Sequence, residues 1–363
     1  MKTTKIFCTI VLTALLMFLA SWFYSLLTLT VILLIWRREI KTKIPYKHSF
    51  KLIMMAMLVA IFTVMPRYRY NSSDRIQLIY QDEEANPVLP PMSHYIANVL
   101  LPEEEIVKFG SWAVRLNLVK APYVGGKITG QFFSDCNDGK MGNFHRPYSK
   151  LNTSGNYMMS GITSQLANMC GLKHTQSVYL IKPNDYDPEK EYPIVFFCHG
   201  GMGNWKLYQG LWKDLNDCIV LSVGTDDWDG LYNYNDIKKL FTRQLPFLKN
   251  LGYKIDEKQI HLIGISNGGT ASNIAYNSFA NKFKTITYIS TQISQTKRTN
   301  SKILLIGGGR DGSSSTMPSA YKRLQQKGAK TAMYWEENET HFIMVNKQDE
   351  LIEFLNEQMF GED

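Results

Sequence analysis

The stretch Ile260-His261-Leu262-Ile263-Gly264-Ile265-Ser266-Asn267-Gly268-Gly269-Thr270-Ala271 decides how the rest of the chain is read. Its apolar opening, Ile260–Ile265, suits a strand buried on both faces, and Thr270–Ala280 suits a helix. Between them Gly264-Ile265-Ser266-Asn267-Gly268 has the form G-x-S-x-G. The bare pattern is common by chance, but between a strand and a helix it is far more specific. There a sharp turn lifts a serine hydroxyl clear of the sheet edge, and flanking glycines let helix and strand approach closely. Ser266 is therefore read as a candidate nucleophile rather than as a turn serine or helix cap.

Other apolar runs surround this motif. Ser177–Ile181, Ile194–Cys198, Cys218–Val223, Thr285–Ile289, Ile303–Ile306 and Ala332–Trp335 read as strands. Helical stretches lie between most of them, at Trp205–Leu215, Ile237–Asn250, Ser319–Lys327 and Glu350–Gln358. Strands that alternate with helices predict an α/β fold: a mostly parallel sheet flanked by helices.

Upstream, Cys198-His199-Gly200-Gly201-Met202-Gly203-Asn204 follows the Ile194–Cys198 strand directly. A glycine-rich turn lets backbone N–H groups come close to a ligand oxygen, and acyl transfer needs such donors for its oxyanion. The candidate donors are the N–H of Asn267, next after the serine, and that of Gly201 or Met202. His199 reads as a structural histidine that braces this loop. Downstream, Arg310-Asp311-Gly312-Ser313 ends the Ile303–Ile306 region and places an acid beyond a strand's C-terminal end. Glu339-Thr340-His341-Phe342 follows the last predicted strand. The order Ser266, Asp311, His341 is that of a nucleophile, an acid that orients the imidazole, and a base. Asp226, Asp227 and Asp229 are alternative acids ranked below Asp311; with Trp228 they could instead line the pocket mouth.

From about Ser177 to the C-terminus the chain resembles the α/β-hydrolase superfamily, especially its esterase-like members. The resemblance rests on Val178-Tyr179-Leu180, Tyr186-Asp187-Pro188, Tyr192-Pro193-Ile194-Val195-Phe196-Phe197-Cys198-His199-Gly200-Gly201, the Ser266 turn, and the downstream Asp311 and His341. It covers about half of the chain. It implies a nucleophile at Ser266, a base at His341, an acid at Asp311 and no cofactor. The short stretch from Ser266 to Asp311 leaves no room there for a lid domain. The activity implied is a serine hydrolase, foremost a carboxylic-ester hydrolase working on a small-molecule or lipid-like ester. A peptidase or an acyltransferase would use the same side chains, and a non-catalytic tethered binding protein is the reading from another class.

The 363 residues allow about two domains. Hydrophobic residues at 45% and charged residues at 20% exclude a wholly disordered or fibrous chain. The formal charge of +8 is concentrated: residues 1–70 hold ten Lys/Arg against one acid, net +9, and the remainder holds 30 against 31, net −1. A neutral main domain argues against a nucleic-acid partner.

The basic N-terminal part reads as a membrane segment, 1–70. Residues 6–36 carry no charge, and such a run outlasts a hydrocarbon core of ~30 Å. A second apolar run, 52–65, is read as another span rather than as an interfacial helix. Between them Arg37, Arg38, Lys41, Lys43, Lys47 and Lys51 mark a cytoplasmic loop. Two spans then put the catalytic region outside the cytoplasm; a single span would put it inside. Residues 71–174, rich in Asn, Gly, Ser, Tyr and Pro, read as an irregular β-rich linker or cap, and 175–363 as the catalytic domain. Cys136 and Cys170 form a disulfide candidate if that domain is exported. No Cys/His group has zinc-site spacing, so no metal is expected. The oligomeric state is left open.

Overall fold

The computed structural model describes residues 75–82, 84–88, 103, 107, 116, 127–151, 176–201, 203–225, 230–294 and 296–361. The two apolar runs 6–36 and 52–65 lie outside the described residues, as do Met202, Cys170 and the loop 226–229. Among the described residues no helix is long and apolar enough to cross a membrane.

Nine strands form one sheet: β1 (Ile76–Gln81), β2 (Pro87–Val88), β3 (Gln176–Ile181), β4 (Tyr192–Cys198), β5 (Ile219–Val223), β6 (Ile255–Ile265), β7 (Thr285–Ile289), β8 (Lys302–Gly308) and β9 (Thr331–Glu336). Their order is β2-β1-β3-β5-β4-β6-β7-β8-β9. β1 pairs antiparallel with β2 and β3, and β3 with β5. From β5 to β9 every pairing is parallel.

Two core layers follow from the two-residue period of the strands. Ile194, Phe196, Leu221, Leu262 and Ile286 face one side. There they meet α4 (Tyr234–Lys239), which runs through a π-helical turn into α5 (Leu245–Asn250), together with α6 (Gly269–Ser278) and α7 (Met317–Gln326). Val195, Phe197, Val220, Ile263 and Leu304 face the other side. Their cover is α1 (Lys127–Asp135), α2 (Met141–Ser149), α3 (Lys206–Trp212), α8 (Ile343–Asn346) and α9 (Gln348–Phe360). Phe196 and Phe197 are fully buried on opposite faces. Each contributes on the order of 2–3 kcal/mol by leaving water.

Two results differ from the sequence reading of 71–174. The described part Lys127–Ser149 is helical rather than β-rich; its two helices are broken at Gly139, where φ is +84°. The second is the domain boundary at 175, which divides a structural unit. β1 is hydrogen-bonded to β3 along six residue pairs, from Ile76↔Ile181 to Gln81↔Gln176. Both features are held by distant partners, which local composition does not reveal.

The register aligns the C-terminal ends of the central strands. Cys198 of β4 lies beside Val223 of β5 and Gly264 of β6, and Ile265 beside Ile289 of β7. β4 has β5 on one side and β6 on the other, so the strand order reverses at β4. The crevice beyond such strand ends, at the reversal, is where open α/β sheets bind ligands.

Candidate active site

β6 ends with Ile265 in extended backbone, and Ser266 then turns to φ +52° before the chain enters α6. A left-handed non-glycine residue costs roughly 1–2 kcal/mol, and such strain gathers at functional sites. The glycines on either side are required by close approach. A Cβ on Gly264 would sit 2.3 Å from the Gly268 carbonyl oxygen, and one on Gly268 would sit 2.3 Å from that of Cys198. The spacing G-x-S-x-G is thus the steric condition for α6 to start against β4 and β6.

Asp311 follows β8. Its Oδ1 accepts the Ser313 N–H at 2.9 Å, and its Oδ2 accepts the Ser314 hydroxyl at 2.6 Å. His341 follows β9 and is buried, as Asp311 is. The His341 Nδ1 lies 3.1 Å from Asp311 Oδ1, and Nε2 lies 2.9 Å from Ser266 Oγ. With Nδ1–H donating to the carboxylate, Nε2 presents its lone pair to the serine hydroxyl. Burial alone would raise the Asp311 pKa. The bond and charge of His341, with the Ser314 and Ser313 donors, outweigh it and hold the carboxyl below the usual range.

The glycine-rich loop after β4 lies directly against the serine: a Cβ on Gly200 would be 3.0 Å from the Ser266 Cβ. Gly201 is half-buried, and its carbonyl accepts the Trp205 indole N–H at 3.4 Å. Asn267 is half-buried in the turn, where its carbonyl accepts the Thr270 hydroxyl at 2.8 Å. His199 is fully buried, and its Nδ1–H donates to the Gly200 carbonyl at 2.8 Å. Burial pushes its pKa down to about 4, which keeps the ring neutral. It sits as a wall of the loop, edge-on to Tyr232 at 5.5 Å.

Other groups support this loop without having stood out in the sequence. Asn204, Gln209 and Ser222 form a buried network: Gln209 Nε2 donates to Asn204 Oδ1 at 2.9 Å, and the Ser222 hydroxyl to the same oxygen at 2.7 Å. Glu103 is buried at the start of α3, where it accepts the Lys206 and Leu207 N–H groups, each at 2.9 Å, and the Tyr148 hydroxyl at 2.6 Å. Burial raises its pKa despite these donors. Ser222, a lone polar residue in the apolar run Ile219–Val223, leaves a trace of its role in the sequence, whereas Glu103 opens the acidic run Glu103-Glu104-Glu105 and reads as solvated.

The sheet order, the helices on both faces and the serine turn fit the α/β-hydrolase fold. No family model matches the chain, and no curated protein matches it. Among solved structures it is similar to a ferulic acid esterase from Anaeromyces mucronatus, at 16% identity and a TM-score of 0.42 over 52% of this chain and 86% of that one. It is similar to an acylaminoacyl peptidase from Pyrococcus horikoshii at 15% identity and 0.41, over 52% of this chain and 40% of that one. A further likeness is to the BES protein from Bacillus cereus, at 14% identity and 0.39, over 51% and 90%. The chain therefore spans less than half the length of the peptidase.

Proposed function

We propose that the chain is a membrane-anchored serine hydrolase that cleaves carboxylic esters through an acyl-enzyme. The observation that carries this reading is the continuous hydrogen-bonded chain Ser266–His341–Asp311, with the serine on a strained turn beside a glycine-rich loop.

Ser266 Oγ attacks the ester carbonyl carbon while His341 Nε2 takes its proton. Asp311 holds the imidazole in the required tautomer and stabilises the imidazolium that forms. The carbonyl oxygen becomes an oxyanion, met by the N–H groups of Asn267 and of Gly201 or Met202. The intermediate collapses, and His341 returns its proton to the leaving alcohol. Water, deprotonated by the same nitrogen, then attacks the acyl-serine and regenerates the hydroxyl. The serine, base and acid together define a reaction class; the acyl and alcohol portions are set by pocket walls. The bilayer contact and the placement outside the cytoplasm rest on the uncharged run 6–36, the run 52–65 and the basic loop between them.

The test uses the full-length protein with p-nitrophenyl acetate and a fluorophosphonate probe. The wild type is expected to show turnover and labelling, and Ser266→Ala to lose both by at least about 10³-fold. Labelling of Ser266→Ala at the wild-type rate would sink the assignment. Protease protection in sealed vesicles tests the sidedness: a protected catalytic region in right-side-out vesicles refutes exposure outside the cytoplasm.

A further inference from the structure

The two side-chain bonds that join His341 to Ser266 and Asp311 do not fix the backbone that carries the imidazole. That backbone is gripped by the helical segment Lys127–Ser149, which precedes Ser266, Asp311 and His341 in sequence by more than a hundred residues. At the end of α1, Asp135 is only 2% exposed. Its Oδ2 accepts the hydroxyl of Thr340, the residue before His341, at 2.5 Å, and the Asn346 amide of α8 at 3.3 Å. Its Oδ1 accepts the Gln131 amide at 3.0 Å, one helical turn back. The Thr340 hydroxyl in turn accepts the N–H of Phe342, the residue after His341, at 3.2 Å.

The grip continues in apolar contacts. The Phe342 ring lies 5.2 Å from Phe132 of α1 and 5.7 Å from Phe144 of α2, and those two rings stand edge to face at 4.7 Å. Phe342 also meets the His341 imidazole at 5.6 Å, nearly perpendicular. Both neighbours of His341 are thus held by one segment, through a buried carboxyl and through an aromatic cluster.

We infer that Asp135 is a positioning residue for His341, acting through the Thr340 hydroxyl, so that the α1–α2 segment is part of the catalytic apparatus. This rests on His341 being the base of the hydrolase proposed above. The physical consequence is specific. A buried hydroxyl that loses its acceptor seeks another partner, and the loop that carries it moves with it. Displacements near 1 Å at a reacting group cost about 10²-fold in rate, and bonds of 2.9 and 3.1 Å do not survive such a shift intact.

The test compares wild type, Asp135→Ala, Asp135→Asn, Thr340→Val and the double variant Asp135→Ala/Thr340→Val. Each is assayed with p-nitrophenyl acetate, with active sites counted by fluorophosphonate titration. Asp135→Ala and Thr340→Val are expected to lower kcat per titrated site by about 10- to 100-fold with KM within about twofold. Asp135→Asn keeps a carbonyl acceptor for the hydroxyl, and the Gln131 amide can turn to meet its NH₂; most of the rate should return. The double variant should be slowed by clearly less than the product of the two single effects, because the Thr340–Asp135 bond is shared by both. If Asp135→Ala does not fold, the nearly isosteric Thr340→Val decides alone. A loss confined to the titratable fraction, with kcat per site unchanged, would mean a stabilising role only and overturn the inference. A wild type that neither titrates nor turns over would overturn the hydrolase reading and this inference with it, an outcome separate from active wild type with unimpaired variants.

Discussion

Replacing Gly268 by alanine tests the close approach on which the site geometry depends. The added methyl would lie 2.3 Å from the Cys198 carbonyl oxygen and 2.5 Å from that of His199. Ordinary contact begins near 3.4 Å, so α6 and the end of β4 must part by about 1 Å. Neither obstacle is a side chain that can swing away; both are backbone carbonyls at the end of a central strand. Overpacking of this kind costs about 1–3 kcal/mol, which lowers Tm by roughly 2–4 °C per kcal/mol in a unit of this size. The same parting separates Asn267 from the loop that carries Gly201, the sources of the oxyanion donors in the proposed mechanism. We expect kcat per titrated site to fall about 10²-fold. The assay is p-nitrophenyl ester turnover normalised by fluorophosphonate titration, with thermal unfolding alongside. Gly224→Ala is the control, since a Cβ there meets only the Ser177 carbonyl oxygen, at an ordinary 3.6 Å. Unchanged kcat and a Tm within about 1 °C of wild type in Gly268→Ala would refute the steric account.

Three further outcomes follow from the site. Ser266→Gly and Ser266→Ala should both be inactive, but the glycine variant should be more stable by roughly 0.5–1 kcal/mol, since only glycine takes φ +52° freely; an equal or lower Tm for the glycine variant contradicts strain at this turn. Asp311 has a depressed pKa, so its contribution to stability is complete above the unfolded carboxyl value of about 4 and disappears as pH falls through the lower folded value. Asp311→Asn should therefore flatten the acid end of the stability curve and cut kcat by up to about 10⁴-fold; an unaltered curve would argue against an ionised carboxylate there. His199 and His261 bind protons only near 4 and near 3, against 6.5 when unfolded, both because they are buried. The unfolded state holds the extra protons as pH drops below 6.5, so each ring should cost roughly 1.4 kcal/mol per pH unit down to about pH 4; urea unfolding at pH 7, 6 and 5 measures the slope, and a flat profile refutes it.

Much of the sheet was readable because burial on both faces leaves continuous apolar runs. Thr285–Ile289 has the same limits in sequence and structure, and Ile194–Cys198 lies within β4. Ser266, Asp311 and His341 could be singled out because each follows a readable strand at its C-terminal end, where the register then brings them together. The segment Lys127–Ser149 was not readable as helix. Gly139 interrupts it, Pro147 lies inside α2, and its stability comes from Phe132, Phe144 and Tyr148 packing on distant partners. Asp135 gave no signal at all: 205 positions separate it from Thr340, and an aspartate between Ser134 and Cys136, just ahead of Asn137-Asp138-Gly139, looks like surface.

The antiparallel pairing of β1 with β3 has a practical bearing on how the molecule is dissected. A recombinant fragment starting at residue 175, where the sequence reading begins the catalytic domain, would expose the outer rim of β3 to any other strand in solution. It would also lose Arg75, whose guanidinium bonds the Lys182 carbonyl at 2.7 Å. Such a piece invites aggregation and would arrive with an unsupported imidazole. Excision for crystallisation or inhibitor screening should therefore begin upstream of Arg75, keeping intact the modular boundary that the sheet itself draws.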